Sequence, residues 1–395
     1  MPTTPVVVAD IWVKAGARAE PDHWTGMAHF LEHMIFKGTD RLLPGQFDYA
    51  IEAQGGMSNA ATSHDYAHFY MTVAAPHLPE TLPHLADLVL HAAIPADEFV
   101  RERQVVLEEL RQAQDDPDWL GLQALSEQVY PTHPYGRSVL GAVAHLEGFS
   151  PETMRGFHQA HYQPENMTVV IAGGIPLEPT LEMIRHSFRG FPAPAPCPTP
   201  PEASAQRWQG VRRQTLHLPR LEQARLLMAW IGPGMDQLDA ACGMDLLSAL
   251  LAEGRSSRLV RELREERQWV LDISSGFSLQ KEASLFTLQM WLMPDKVTAV
   301  EALIRDRLAA LTYVPIDAAE LMRAKRLLCN DFAFSVETPG QLAGLYGYYS
   351  TVGNPEDSYT YTERVQAHTG DSLAALAQRF LSPDTYAVTV LLPQG

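Results

Sequence analysis

The chain has 395 residues, of which 46% are hydrophobic and 19% are charged, and its net charge at pH 7 is −17. This composition is typical of a globular protein long enough for two domains. The sequence contains no long apolar, uncharged run that could span a membrane. Its acidic balance argues against a nucleic-acid partner, because phosphate contact needs a basic face.

The amino-terminal residues and the cysteines both favour a reduced compartment. Residues 1–5 lack the basic and apolar regions of a secretory signal and are not an arginine-rich transit peptide. Cys197, Cys242 and Cys329 are widely separated, without the paired spacing of a disulfide framework or a zinc cluster. We therefore expect a cytoplasmic protein.

The strongest chemical signal is the pattern His-x-x-Glu-His formed by His29, Glu32 and His33. On a helix, two histidines four residues apart face the same way and can bind one zinc ion, with Glu32 placed to accept a proton from a metal-bound water. This order inverts the commoner zinc-peptidase motif and predicts a zinc hydrolase acting on peptide bonds. The alternative is an amphipathic helix over 26–36 whose histidines merely point outward.

A third zinc ligand is expected from elsewhere, because two imidazoles and a water leave a tetrahedral zinc ion one protein ligand short. The segment 95–110 reads as a strongly helical run with one apolar face. Glu102 and Glu109 are seven residues apart on it and therefore nearly aligned. The alternative for this helix is a solvated charged face.

These motifs resemble those of the pitrilysin and insulinase zinc peptidases, most closely the mitochondrial-processing-peptidase-like branch. The resemblance spans nearly the whole chain. Its other matching segments are 12–16, 36–39, 55–56, 59–62 and 133–136.

In that family a glutamate about 76 residues after the second histidine completes the zinc site, and a glutamate one heptad earlier assists catalysis. The resemblance therefore implies that Glu109 is the third zinc ligand and Glu102 a catalytic residue. Glu108 competes for the ligand role. Because a helix turns its next residue by about 100°, only one of the two can share a face with Glu102, and we choose Glu109.

The resemblance implies a zinc-dependent endopeptidase with one Zn²⁺ per chain, cleaving short or unfolded peptides inside a chamber enclosed by a homodimer or heterodimer. It also implies that an extended peptide adds to a sheet edge at Asn59, Ala60 and Ala61; the alternative is a simple loop. Two other functions remain open. One is a processing-peptidase subunit that needs a partner chain to trim precursors, and the other is a catalytically silent scaffold or peptide-binding subunit.

The second half of the chain repeats the first at a shift of roughly 220 residues. Trp12 and Gly16 return as Trp230 and Gly234. The three positions of the zinc motif are occupied in the second half by apolar residues, namely Leu246, Ala249 and Leu250. Only the first half can therefore bind zinc.

The repeat and the resemblance together predict an α+β fold of two homologous α/β-sandwich domains, the processing-peptidase-like metallohydrolase fold. We expect a zinc-binding catalytic domain over 1–190, a proline-rich linker over 191–205 and a homologous domain without metal over 206–395. Strands are predicted near 6–14, 66–75, 167–173, 212–217, 224–231, 269–277, 284–293 and 385–392.

The chain departs from the family pattern in two places. The strand predicted at 212–218 has no counterpart before Val6, so the first domain is expected to lack its first strand, or a short upstream segment is absent. A substrate-binding arginine and tyrosine seven residues apart correspond here to Arg264 and Leu271. Arg264 is thus a candidate for substrate binding, with a surface ion pair as the alternative, and the missing tyrosine implies another donor or a partner subunit.

Overall fold

The computed structural model of the chain describes residues 4–198, 208–219 and 221–394, and these form two compact units. Unit 1 consists of residues 4–112, 137–198 and 335–358. Unit 2 consists of residues 113–136, 208–219, 221–334 and 359–394. Within the described ranges, no helix is both long enough and apolar enough to cross a membrane.

The chain alternates strands with helices in both units. The strands are β1 (Val6–Val13), β2 (Met57–Thr62), β3 (Ala67–Ala74), β4 (Met167–Gly173), β5 (Val211–Leu218), β6 (Ala224–Pro233), β7 (Val270–Ser278), β8 (Ala283–Leu292) and β9 (Tyr386–Pro393). The α-helices are α1 (Met27–Ile35), α2 (Gln46–Glu52), α3 (Leu78–Leu90), α4 (Ala96–Asp115), α5 (Pro117–Val129), α6 (Val143–Gly148), α7 (Pro151–His161), α8 (Leu177–Ser187), α9 (Leu238–Ala252), α10 (Val297–Ala310), α11 (Ala318–Phe334), α12 (Pro339–Val352), α13 (Tyr361–Ala367) and α14 (Gly370–Phe380).

Unit 1 is built on an antiparallel sheet with the strand order β2-β3-β1-β4. Side chains alternate across a sheet, so its two faces carry different residues. One face, on which Ile11 and Phe69 are fully buried, is packed by α1 and α3. The other face, which includes Trp12 and His68, is packed by α12. The zinc motif therefore lies on one side of the sheet and α12 on the other.

Unit 2 contains a five-stranded sheet with the order β5-β9-β6-β8-β7, in which only β5 and β9 run parallel. Helix α5 packs on β6 and β9, and its buried Leu125 joins a core with Leu227 and Leu391. The predicted strands are confirmed in both units, as is the two-domain α+β fold. In the described part of unit 1, no strand pairs with the outer edge of β4, where the counterpart of β5 would lie.

Two helices each lie in the unit that is built mainly from the other half of the chain. Helix α5 lies in unit 2, although it precedes residue 190, and helix α12 lies in unit 1, although it follows residue 206. The compact units therefore differ at these helices from the predicted ranges 1–190 and 206–395, whose boundaries stay predictions. Residues 191–198 of the predicted linker form neither helix nor strand, and 199–205 lie outside the described residues.

A buried histidine should make unit 1 sensitive to acid. His158 on α7 is 3% exposed, and its Nε2 lies 2.8 Å from the carbonyl oxygen of Val89. Burial lowers the pKa of His158 to about 4, whereas an unfolded histidine titrates near 6.5. Burial of the neutral imidazole therefore contributes stability that is fully present above the unfolded pKa. This stability is lost as the pH falls towards the folded pKa. We expect a loss of about 2 kcal/mol between pH 7.5 and pH 5.

The measurement is urea unfolding followed at pH 7.5 and pH 5 for the wild type and for His158→Gln. The variant should lose less stability on acidification, because its amide does not titrate. His23→Gln, at an exposed position, is the control and should behave as the wild type does. An equal acid loss in His158→Gln and wild type would contradict the assignment.

Candidate zinc centre and its surroundings

The zinc-motif helix α1 begins at a constrained glycine and a buried carboxylate. Gly26 has φ +94°, a conformation that favours glycine, and a Cβ there would lie 2.8 Å from the Cα of Gly141. Glu20, which is fully buried, accepts hydrogen bonds from the backbone N–H groups of Gly26 (3.0 Å) and Ala28 (2.7 Å). It thus satisfies the free donors at the start of the helix.

Burial raises the pKa of Glu20 to about 8, against the opposing effect of its backbone hydrogen bonds and of Arg137. The sequence analysis missed Glu20. It lies six residues before Gly26, outside the spacing of a local capping motif, so no sequence signal connects it with α1.

The structure brings the three predicted zinc ligands together. Glu109 Oε2 lies 3.5 Å from His29 Nε2 and 3.4 Å from His33 Nε2. All three ligand atoms lie within 4.8 Å of one another. A tetrahedral zinc ion with bonds of about 2.0–2.1 Å would place its ligand atoms roughly 3.3–3.5 Å apart. The two imidazoles and the carboxylate therefore fit zinc in both chemistry and spacing.

At two of the three ligands, His29 and Glu109, the surroundings favour the protonation state that binds a metal. Burial lowers the pKa of His29 to about 4, which favours the neutral imidazole. The hydrogen bond with His33 and the electrostatic effect of the nearby His29 lower the pKa of Glu109, which favours the carboxylate. At His33 burial acts to lower the pKa, but the hydrogen bonds with Glu109 and Glu102 outweigh it and raise the pKa. Neutral imidazole and ionised carboxylate are the forms that bind a metal.

Glu102 contacts the ring nitrogen of His33 that does not face the other ligands. Its Oε1 accepts a hydrogen bond from His33 Nδ1 at 2.9 Å, and its Oε2 lies 2.7 Å from Lys37 Nζ. This arrangement leaves His33 Nε2 to face the other ligands and orients the ring, as outer carboxylates do at histidine–metal sites. Glu102 is therefore placed as a positioning residue, and a direct catalytic role for it stays a prediction. Glu108 is exposed and pairs with Arg111 at 3.1 Å.

Glu32 lies beside the ligand cluster and is held by strand β2. The hydroxyl of Thr62 donates a hydrogen bond to Glu32 Oε2 at 2.6 Å. Burial raises the pKa of Glu32, and the Thr62 hydrogen bond partly opposes this rise. Thr62 was noted in the sequence only as part of the segment 59–62, because a contact between residues 30 positions apart has no local signal.

The predicted peptide-binding segment is an edge strand and not a loop. Among the described strands, β2 pairs only with β3, so its other edge is open. Asn59, Ala60 and Ala61 lie in this strand. The Asn59 side chain accepts a hydrogen bond from the Ala60 N–H at 2.9 Å. An open edge is what an added peptide strand requires.

Arg264 and Leu271 lie in unit 2. The Arg264 guanidinium pairs with Glu265 at 2.9 Å and with Asp272 at 3.3 Å, which fits the surface ion-pair alternative. Leu271 is 53% exposed in β7. Substrate binding by Arg264 stays a prediction.

Two family models together cover most of the chain. A model described as insulinase (peptidase family M16) matches residues 1–143, and a model described as the peptidase M16 inactive domain matches residues 148–328. The second match agrees with the absence of the zinc motif from the second half. The chain belongs to the pitrilysin/insulinase (M16) peptidase family.

Relatives that resemble the chain over nearly its whole length are named as proteases. A zinc protease of Helicobacter pylori, PqqE, is 28% identical over 98% of this chain and 88% of its own length. An uncharacterised zinc protease of Mycobacterium tuberculosis is also 28% identical, over 98% of this chain and 88% of its own length. The crystal structure of a protease from Helicobacter pylori superposes with a TM-score of 0.93 at 26% identity, covering 99% of this chain and 94% of the other.

Proposed function

We propose that this protein is a zinc-dependent endopeptidase that hydrolyses peptide bonds of short or unfolded peptides. The observation that carries the proposal is the spacing of 3.4–3.5 Å between Glu109 Oε2 and the two histidine Nε2 atoms. Glu32 lies next to this cluster without belonging to it. A scaffold without activity would have no need of this arrangement.

His29, His33 and Glu109 would hold the zinc ion, with Glu102 fixing the ring of His33. Bound zinc supplies a Lewis acid that activates water and polarises the substrate carbonyl. Because Thr62 occupies Glu32 Oε2, the oxygen Oε1 is left to accept the proton of the attacking water. Glu32 then returns that proton to the leaving amine.

The open edge of β2 would hold the substrate as an added strand. Backbone hydrogen bonds to such an edge do not depend on side chains, and they require the peptide to be extended. A folded protein offers few extended, unpaired segments. The edge therefore supports selection for short or unfolded peptides.

A partner-dependent processing peptidase is the second candidate, and Leu271 favours it. The exposed Leu271 stands where the family's tyrosine is expected, and it offers no hydrogen-bond donor. A second subunit could supply that donor. The proposal accordingly includes a homodimer or heterodimer enclosing a chamber. The cytoplasmic location also stays a prediction.

The test uses the purified chain alone with an internally quenched peptide library, and the zinc content is measured by mass spectrometry. Cleavage with one zinc ion per chain supports a self-sufficient endopeptidase. Zinc without cleavage would shift the choice to the processing subunit. Absence of zinc from the chain, even after incubation with it, would contradict the proposal.

A further inference from the structure

A cavity of about 320 Å³ lies in unit 1, on the face of the sheet opposite α1. Asn59 and Ala61 of the edge strand β2 line it, and so do His68 and Tyr70 of β3. The register pairs Asn59 with Tyr70 and Ala61 with His68, so these four side chains share one face. The cavity therefore reaches the same edge at which a peptide would add, but from the side away from the zinc ligands.

The cavity owes its volume to glycines of α12. Gly340, Gly344 and Gly347 recur at helical spacing on one face of this helix. A Cβ at Gly347 would lie 2.0 Å from Trp12 Nε1, so the helix touches the sheet there. A Cβ at Gly340 or Gly344 would meet no atom within 4 Å. These two glycines therefore leave space between helix and sheet that side chains could have filled.

Glycine in the middle of a helix is less stable than alanine by roughly 0.5–1 kcal/mol. Close packing accounts for Gly347, but not for Gly344, whose Cβ position is open. Gly344 instead keeps the cavity free of a side chain from α12.

Two aromatic rings, those of His68 and Tyr70, line the cavity together with apolar side chains and the polar side chains of Asp10, Asn59 and Thr72. The rings of Trp12 and His68 stack with centroids 4.3 Å apart, and those of His68 and Tyr70 with centroids 5.5 Å apart. Asp10, which is 3% exposed, accepts a hydrogen bond from His68 Nδ1 at 3.0 Å. Among the described residues, His68 Nε2 has no hydrogen-bond partner. A flat aromatic side chain would pack beside the rings of His68 and Tyr70.

We propose that the cavity between β2, β3 and α12 binds an aromatic side chain of the peptide that adds to β2, and that it selects substrates by this side chain. Side chains of an added strand alternate between the two faces of the sheet. Those on the face of Thr62 point towards the zinc ligands, and those on the face of Ala61 point towards the cavity. The small side chain of Ala61 leaves the entrance open. This inference rests on the proposed peptidase function.

The test fills the cavity with Gly344→Leu and compares internally quenched peptides that differ only in Phe or Ala at one position, scanned along the peptide. At one position the wild type should prefer Phe, with a kcat/KM about tenfold or more above that for Ala. Gly344→Leu should lose this preference. Its melting temperature should match or exceed that of the wild type, because Leu favours helix over Gly.

Gly156→Leu is the matched control, since Gly156 lies in α7 of the same unit and its Cβ position is equally open. It should keep the wild-type preference. A wild type that shows no preference for Phe at any position, an unchanged preference in Gly344→Leu, or its loss in both variants would overturn the proposal.

A binding experiment tests the proposed cavity independently of the proposed peptidase function. The same peptides, labelled with a fluorophore and without the quencher, are titrated into the Glu32→Gln chain and into the double variant with Gly344→Leu, and fluorescence anisotropy is recorded. Tighter binding of the Phe peptide, lost in the double variant, supports the cavity even if the wild type cleaves nothing. Equal affinity for the Phe and Ala peptides would overturn the cavity even if the wild type cleaves both.

Discussion

Replacing Glu32 with Gln is expected to lower kcat for peptide cleavage by about 10²- to 10⁴-fold, the range of general acid–base catalysis. The amide can still accept the hydrogen bond that Thr62 donates to Glu32 Oε2, so the side chain should stay in place. It cannot take up the proton of the attacking water. Zinc should remain at one ion per chain, because Glu32 is not among the three ligand atoms.

The measurement combines kcat for a quenched peptide with zinc content determined by mass spectrometry on the same sample. Glu108→Gln, the same chemical change at an exposed residue of α4, is the control and should keep both values. Full activity in Glu32→Gln would contradict the assignment of Glu32. A loss of zinc together with activity would instead make Glu32 part of the metal site.

The local part of the site could be predicted from the sequence, because it depends on helix geometry alone. His29, Glu32 and His33 lie on one short helix, and their spacing sets their mutual orientation. The position of Glu109 beside them depends on how α4 packs against α1, where the rings of Phe30 and Phe99 stand 4.6 Å apart. No periodicity encodes that packing, so only the family resemblance paired Glu109 with the histidines.

The supporting contacts could not be predicted for the same reason. Thr62 and Lys37 meet their partners across the folded chain, and Glu20 bonds the start of α1 from outside the spacing of a capping motif. A threonine or lysine in such a segment reads from sequence as an ordinary surface residue. Helices α5 and α12 show the same limit at a larger scale. Their apolar residues form no distinct stripe along the helix, so the sequence does not say which sheet they pack on. Each packs in the unit built mainly from the other half of the chain.

Replacing Glu109 with Gln is expected to weaken zinc binding by more than about 100-fold, beyond the 10- to 100-fold effect of outer-shell partners. Glu109 Oε2 is the ligand atom that lies near both histidines. The hydrogen bond with His33 lowers the pKa of this carboxyl, so it is ionised at neutral pH. A neutral amide is a much poorer zinc ligand, and the substitution removes the negative charge that lies close to both imidazoles. Activity should fall with the zinc content.

Zinc affinity is measured by competition with a chromophoric chelator for Glu109→Gln, Glu108→Gln and the wild type. This pair decides between the two adjacent glutamates that the sequence offered as third ligand. Because the Glu108 carboxylate is exposed and paired with Arg111, Glu108→Gln should bind zinc as the wild type does. The reverse result would mean that α4 presents its other face to the histidines. Equal, small effects in both variants would mean that the two histidines bind zinc without a carboxylate from α4.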